Sequence, residues 1–364
     1  MEEDLGYRRV QRAGRGSYVI SLPKRWVRKM GLAKGSEIAF RQRDDSSMLL
    51  VPRKLAEEGR EPEEAGAREY SVHVDRKDDP RSVCRKIISL YVVSSDVIHI
   101  RFRNSEIVQD HKRAIGNLVK NALLGSEIIE ETDDEITIKI LINHRQFPVE
   151  KAIRRMAILA LSAISDAVSA LKSMEQDLTW DVIDARNDVN RLNLYVIRQL
   201  KFGLEENQYE ELGFRTPKES LGYRIAANDI KSIADSAMNI ARKVTAFKKM
   251  IEDQMLFLKE PVDEEIYSQI LDFNSLAHRL LEDSLGALFK RDYEHADRTI
   301  SEIESISTGE NDLITLISSK KLDPNVSSIL SLILDNSRRI IEYSRNIAEV
   351  TLNRTIEEVS GQNL

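Results

Sequence analysis

The sequence predicts a multidomain protein: a small all-β module at the amino end, a short α+β unit, and an all-α second half. Three observations indicate this order. Short segments rich in β-branched and aromatic residues occupy the first fifty residues. Strand and helix periodicities then alternate up to about residue 146. Beyond Pro148 the strand signals disappear and long amphipathic helical patterns take over.

Length and composition agree with several folded domains. The chain has 364 residues, which is more than one ordinary core supports, and 41% of them are hydrophobic and 31% charged. The single cysteine, Cys84, excludes an internal disulfide and fits a reducing compartment. No stretch of 18 uninterrupted apolar residues occurs, and Met1 is followed by acids, unlike a signal peptide. We therefore expect a cytoplasmic protein without membrane insertion.

Charge is distributed unevenly along the chain. Residues 1–54 carry thirteen Lys and Arg against six acids, a net charge of +7, whereas the whole chain has a net charge of −6. The remainder therefore carries about −13. Contact with an anionic partner such as nucleic acid is expected at the amino end and not along the whole molecule.

The amino module, residues 1–54, has the pattern of two hairpins around a short helix. Pro23 suits the first position of that helix, and Gly31 suits its end. A module this small commonly needs a second copy to bury enough surface, so we expect a homodimer through residues 7–52. Four strands are predicted, at residues 7–11, 18–22, 36–43 and 48–52.

A linker and an α+β unit follow. Residues 55–69 carry Pro and Gly and show no apolar period, which is typical of a linker. Residues 70–146 form the α+β unit. No motif in this unit indicates a binding or catalytic site, so a ligand-sensing role and a spacer role both stay open. Its strands are predicted at 70–74, 97–103, 128–131 and 135–142, and its helices at 80–93 and 107–124.

The helical half divides into two blocks, 147–257 and 261–360. Each block ends on the same pattern, an acid followed four residues later by an asparagine, within Ile233–Ala241 and again within Ile340–Ala348. Residues four apart share one face of a helix. The repeat indicates a duplicated bundle. Because burying such polar groups unpaired is costly, their presence on apolar helices indicates that this polar stripe has a functional or pairing role. Four prolines are placed near helix starts: Pro148, Pro217, Pro261 and Pro324.

In the amino module, an apolar strand ends in Leu22-Pro23-Lys24 and is followed by a short helix, Gly31-Leu32 and a second glycine, Gly35. This order resembles the AbrB family of swapped-hairpin DNA-binding domains. The resemblance implies an intertwined dimer that presents cations to DNA, and guanidinium groups can indeed bind phosphates and guanine edges. The alternative is a module that only pairs protomers. The residues assigned to DNA contact are Arg8, Arg9, Arg12, Arg15, Lys24 and Arg25.

In the helical half, the runs 182–192 and 230–241 each carry two polar oxygen ligands four residues apart. They are similar to motifs of the PhoU family of phosphate-uptake regulators, which are tandem three-helix bundles. The resemblance implies a partner in a phosphate ABC transporter or a sensor protein. It also implies a bound divalent ion or iron cluster of Mg, Mn, Fe or Zn. The matching positions are Asp184, Asp188, Asp235 and Asn239 in the first repeat and Glu342 and Asn346 in the second.

Such a set is chemically reasonable, because carboxylate and amide oxygens on facing helices suit hard cations. The alternative is a solvated acidic helix face. The second repeat departs from the family pattern, since Ser301 and Ser305 stand where the acids of the partner helix belong. Thr179 is expected to be the N-cap of the helix that carries Asp184 and Asp188.

Enzyme motifs are missing from the sequence. Di-iron oxidases of the bundle type need Glu three residues before His, and none of the six histidines has it. There is also no phosphate-binding loop and no nucleophile elbow. The missing motifs predict that the protein is not an enzyme, and the two resemblances together imply a DNA-binding regulator of phosphate uptake. The alternative is an accessory regulator of a phosphate ABC transporter that does not bind DNA. The six histidines are His73, His99, His111, His144, His278 and His295.

Overall fold

A computed structural model describes most of the chain, in two compact units, Met1–Ala67 and Arg68–Leu364. Arg15 and residues 55–67 of the predicted linker lie outside the described residues. The described ranges are 8–14, 16–42, 48–53, 68–75, 77–103, 108–142, 147–173, 177–205, 209, 212–253, 264–320 and 322–361.

The amino unit consists of two antiparallel hairpins and a short helix, as predicted. Strands β1 (Gln11–Ala13) and β2 (Ser17–Val19) form the first hairpin, which turns at Gly14 with a positive φ of 65°. Helix α1 (Lys24–Lys29) follows Pro23 and ends before Gly31. Strands β3 (Ile38–Gln42) and β4 (Met48–Pro52) form the second hairpin. The first hairpin lies closer to its turn than the predicted strands 7–11 and 18–22, because pairing runs from Gln11 opposite Val19 to Ala13 opposite Ser17; residue 7 lies outside the described residues.

The α+β unit contains one four-stranded sheet, in the order β5-β6-β8-β7. Its strands are β5 (Glu69–Val74), β6 (Val97–Phe102), β7 (Ser126–Glu131) and β8 (Glu135–Ile140). Helix α2 (Pro80–Val92) connects the parallel pair β5 and β6, and α3 (Val108–Ala122) leads to the antiparallel hairpin of β7 and β8. Alternate strand residues and both helices enclose an apolar core of their own.

The helical half begins at Val149, directly after Pro148. The first repeat contains α4 (Val149–Ser173), α5 (Asp177–Glu205) and α6 (Glu219–Glu252). The second contains α7 (Glu264–Lys290), the pair α8 (Tyr293–Ser305) and α9 (Ser307–Ser319), and α10 (Pro324–Val359). The predicted all-α second half is confirmed. Both repeats share one large apolar core.

Local signals explain where the helices begin. Asp323 caps α10 by accepting a hydrogen bond from the Asn325 amide at 2.8 Å, with Pro324 at the first helical position. The N-cap prediction for Thr179 is wrong. Helix α5 already includes Asp177, so Thr179 lies within the first turn, where its hydroxyl is 3.0 Å from the hydroxyl of Thr245 on α6.

Helix α4 is, by length and composition alone, long and apolar enough to cross a membrane. Half of its most apolar stretch is buried inside the helical half. Ala152, Met156, Ala160 and Ala163 all face the interior. The apolar residues of α4 are therefore used as part of the bundle core.

Candidate functional site

The cations predicted to contact DNA lie on the surface of the amino unit. Arg12 is in β1, opposite Tyr18 of β2, and Lys24 and Arg25 form the first turn of α1. Arg8 and Arg9 precede β1, and the five described side chains are all exposed. Arg15 lies outside the described residues. The sequence analysis did not assign Arg28 and Lys29, two further exposed cations in the last turn of α1, where positive charge is favoured by the helix dipole.

The described residues of the amino unit form almost no interior of their own. Tyr18 is 74% exposed, Phe40 64% and Met48 67%. No residue of α1 is buried. Side chains of this kind on two-stranded sheets usually need a covering surface. The exposed apolar side chains of the described part are therefore those expected of a unit that packs against a second copy.

Asp235, the first acid of the repeated pattern, is engaged by two cations. Arg186 of α5 donates to its Oδ1 at 2.6 Å and Lys231 to its Oδ2 at 2.8 Å. Burial raises the pKa of Asp235, but the hydrogen bonds from Lys231 and Arg186 outweigh this and hold the pKa below its ordinary value. A cation at Asp235 would have to compete with both partners.

Asp184 and Asp188 lie exposed on one face of α5, next to the helix that carries Asp235. Their carboxylates suit a hard cation. Among the described residues, however, no three His, Cys, Asp or Glu side chains come close enough to share a metal ion. The predicted donors therefore fit a metal only in part, because Asp235 is already neutralised by Arg186 and Lys231.

The asparagines of the repeated pattern join α6 to α10. The Asn239 amide donates to Oδ1 of Asn336 at 3.3 Å, and Asn346 forms a hydrogen bond with Asp229. Asn346 follows Asn239 by 107 residues, and Asn336 follows Asp229 by the same 107. The two contacts are therefore reciprocal. Such reciprocity is what an internal two-fold relation between the two repeats produces.

The repeated pattern thus lies where the two antiparallel helices cross. Gly222, near the start of α6, lies against Val350 and Arg354 near the end of α10. Asn239, nearer the end of α6, contacts Asn336, nearer the start of α10. Between these contacts, Ile233 and Ile340 are fully buried. We call this contact between α6 and α10 the repeat seam. Glu342, the second predicted acid, is exposed and pairs with Arg338 of its own helix.

Asp229 was missed by the sequence analysis, although its spacing to Asn336 was available as a signal. It is 9% exposed, and its Oδ2 has no hydrogen-bond partner among the described protein atoms. Burial raises the pKa of Asp229 to about 6, against the opposing effect of the Asn346 hydrogen bond. The repeat seam therefore contains two equivalent side-chain pairs. One joins two amides, Asn239 and Asn336, and the other joins the Asp229 carboxyl to the Asn346 amide.

Comparison with known proteins supports both resemblances. Residues 153–244 match the family model described as PhoU domain, and residues 11–58 match the one described as antidote-toxin recognition MazE, bacterial antitoxin. A curated relative from Thermotoga maritima, the phosphate-specific transport system accessory protein PhoU homolog 1, is 22% identical over 207 residues. That alignment covers 54% of this chain and 81% of the relative.

Two solved structures are also similar. PhoU from Pseudomonas aeruginosa is 20% identical with a TM-score of 0.47, covering 59% of this chain and 96% of that one. The phosphate transport system regulatory protein PhoU from Streptococcus pneumoniae is 17% identical with a TM-score of 0.46, covering 59% and 95%. Residues 153–244 are thus similar to the PhoU domain, and residues 11–58 are similar to the MazE antitoxin domain.

Proposed function

We propose that this protein is a dimeric, DNA-binding regulator of phosphate uptake. In this proposal two amino units pair into one basic domain that binds DNA. The helical half contacts a component of a phosphate ABC transporter or a sensor protein in the cytoplasm. The name of the Thermotoga relative, a transport system accessory protein, supports the second part. The protein acts by binding and not by catalysis.

One observation carries the DNA-binding part. The amino unit combines exposed apolar residues, such as Tyr18 and Phe40, with exposed cations on neighbouring elements, such as Arg12 and Lys24. Pairing two units would cover the apolar residues and double the positive charge. A doubled set of guanidinium groups can neutralise phosphates on both halves of a symmetric DNA site.

We further propose that Asp184 and Asp188 attract a divalent cation to the face of α5. Their exposed carboxylates support this, and Asp235 would contribute only if it exchanges Arg186 for the metal. Such an ion would supply positive charge for an anionic partner. Glu342 and Asn346 are weaker candidates, because Glu342 pairs with Arg338 and Asn346 with Asp229.

The DNA proposal is tested with the full chain and fluorescently labelled duplex DNA over a range of salt concentrations. Replacing Arg8, Arg9, Arg12 and Arg15 with Ala is expected to weaken binding at low salt by about tenfold or more. It should also flatten the salt dependence, because each lost phosphate contact removes about 0.9 from the slope. A control with the same charge change replaces exposed cations of the helical half, Lys151, Arg155, Lys172 and Lys201, with Ala.

The control variant is expected to bind DNA like the unaltered chain. If the unaltered chain binds no duplex at low salt, or if both variants bind equally, the amino unit does not act on DNA. The alternative then stands: an accessory regulator of a phosphate transporter whose amino unit only pairs protomers. Mapping bound genomic DNA in cells under phosphate limitation would connect a positive result with phosphate uptake.

A further inference from the structure

The α+β unit packs on helix α5, and part of this contact is made by buried polar groups. Its apolar core and that of the helical half are separate. Among the described residues, partly buried side chains lie between them, namely Leu124, Ile142 and Leu194. Helices α2 and α3 both pack against α5, and the carboxyl end of α2 contacts the second half of α5 through Arg198 and Ser94. We call this contact the α2–α5 seam, comprising Tyr91–Asp96 and Arg191–Phe202.

Arg198 is the central residue of the α2–α5 seam. Its side chain is 9% exposed, and its Nη1 donates to the Tyr91 carbonyl at 2.8 Å. The guanidinium lies 5.2 Å from the centre of the Tyr91 ring, and Nη2 is 3.8 Å from Oδ1 of Asp96. Arg198, which belongs to α5 of the helical half, therefore places a positive charge at the carboxyl end of α2, where the helix dipole favours a cation.

Ser94 completes the contact in the opposite direction. Its hydroxyl donates to the backbone carbonyl of Arg198 at 3.2 Å. Ser94 has a φ of 65°, the left-handed conformation that ends α2, with the amides of Ser94 and Ser95 bonded back to the carbonyls of Tyr91 and Leu90. One arginine and one serine thus exchange hydrogen bonds across the α2–α5 seam.

The α2–α5 seam contains polar atoms that are buried without a hydrogen-bond partner in the described protein. They are Ser95 Oγ, Arg191 Nε, Asn193 Oδ1 and Gln199 Oε1. Burial lowers the pKa of the Arg198 guanidinium, so the buried charge costs free energy that separation of the seam would recover. Interfaces with unsatisfied polar groups separate more readily than apolar cores.

The face of α5 that receives the α+β unit continues beyond it. Asp184, Asp188, Arg191, Tyr195 and Arg198 follow one another at spacings of three and four, which places them on one side of the helix. The α+β unit covers the second half of this face. The first half, with Asp184 and Asp188, is exposed.

We infer that the α+β unit is a detachable cover on α5, held by Arg198 and Ser94, and that its release exposes the second half of the face that carries Asp184 and Asp188. This goes beyond the proposed function, because it assigns a conformational role to a unit that neither matched family model includes. It requires neither DNA nor metal.

Hydrogen exchange of the full chain tests the inference. Arg198→Met keeps an apolar stem and removes the charge. It should accelerate exchange by about ten- to a hundredfold in Tyr91–Asp96 and Arg191–Phe202, because a hydrogen bond to a charged group is lost. Strands β5–β8 and helices α4 and α6 should keep their protection. Ser94→Ala, a milder change, should produce a smaller acceleration in the same two segments.

Arg354→Met is the matched control. Arg354 is equally buried, with 7% of its side chain exposed, and it lies 4.2 Å from the centre of the Tyr223 ring, but within the helical half. It should leave exchange in the α2–α5 seam unchanged. Unchanged exchange in both Arg198→Met and Ser94→Ala would overturn the inference. So would acceleration throughout β5–β8, which would mean that the unit unfolds and does not detach.

Discussion

At the residue scale, the contacts of Asp235 decide what its carboxylate can do. A sequence pattern can place an acid on the correct helix face, but it cannot show which cation reaches it from a neighbouring helix. Arg186 does so from α5 at 2.6 Å. Both side chains are more than one quarter exposed, so this ion pair contributes modestly to stability and can be exchanged.

This leads to a prediction for metal binding. Arg186→Gln should raise the affinity of the full chain for Mn²⁺ by about five- to tenfold, because Asp235 loses a competing cation. Asp184→Asn and Asp235→Asn should lower it, since each removes a carboxylate ligand. The measurement is calorimetric titration with manganese alone. Arg155→Gln changes the charge equally on the exposed surface of α4 and should have no effect. Equal affinity in all four variants would remove this site.

At the element scale, the sequence predicted features that depend on neighbouring residues, such as helix starts, but not contacts between distant helices. The start of α10 could be predicted because Asp323 and Pro324 act within one turn. Thr179 was assigned wrongly because α5 already includes Asp177, and the Thr179 hydroxyl instead contacts Thr245 on another helix. The repeated pattern was recognised as a duplication. Its role in the repeat seam could not be recognised from the sequence, because this role depends on how α6 and α10 are aligned in antiparallel register.

The repeat seam gives a pH prediction. The pKa of Asp229 is raised to about 6, so its protonated form stabilises the fold. That contribution is complete below the ordinary value of 3.8 and is lost as the pH rises through about 6. Asp229→Asn should therefore raise the free energy of unfolding at pH 7.5, by at most about 3 kcal/mol. The gain should fall towards zero near pH 4.

Urea unfolding at several pH values, followed by the helical circular dichroism signal, measures this effect. Asp235→Asn serves as a contrast, because the pKa of Asp235 is lowered. Its carboxylate stabilises the fold above its ordinary pKa and loses that effect as the pH falls, so this variant should be destabilised at pH 7.5. A pH-independent difference between Asp229→Asn and the unaltered chain would show that Asp229 does not titrate as described.

At the scale of the whole molecule, the two units differ in how completely they bury their apolar residues. The unit from Arg68 onward has continuous apolar cores, whereas the described part of the amino unit leaves Tyr18, Val19 and Phe40 at the surface. The length of the module alone indicated that it is too small to bury a full core. The structure identifies which side chains a second copy would have to cover.

We therefore predict that the full chain is a dimer with twice the 41.6 kDa mass of one protomer, measured by light scattering. Val19→Asp combined with Phe40→Asp should shift it to the monomer, because a charge on each hairpin would have to be buried on pairing. Ile158→Asp, at a 57% exposed position of α4, introduces the same side chain on the helical half and should leave the dimer intact. If instead Ile158→Asp separates the protomers and the hairpin variant does not, pairing occurs through the helical half, and the amino unit cannot present a two-fold basic surface to DNA by this route.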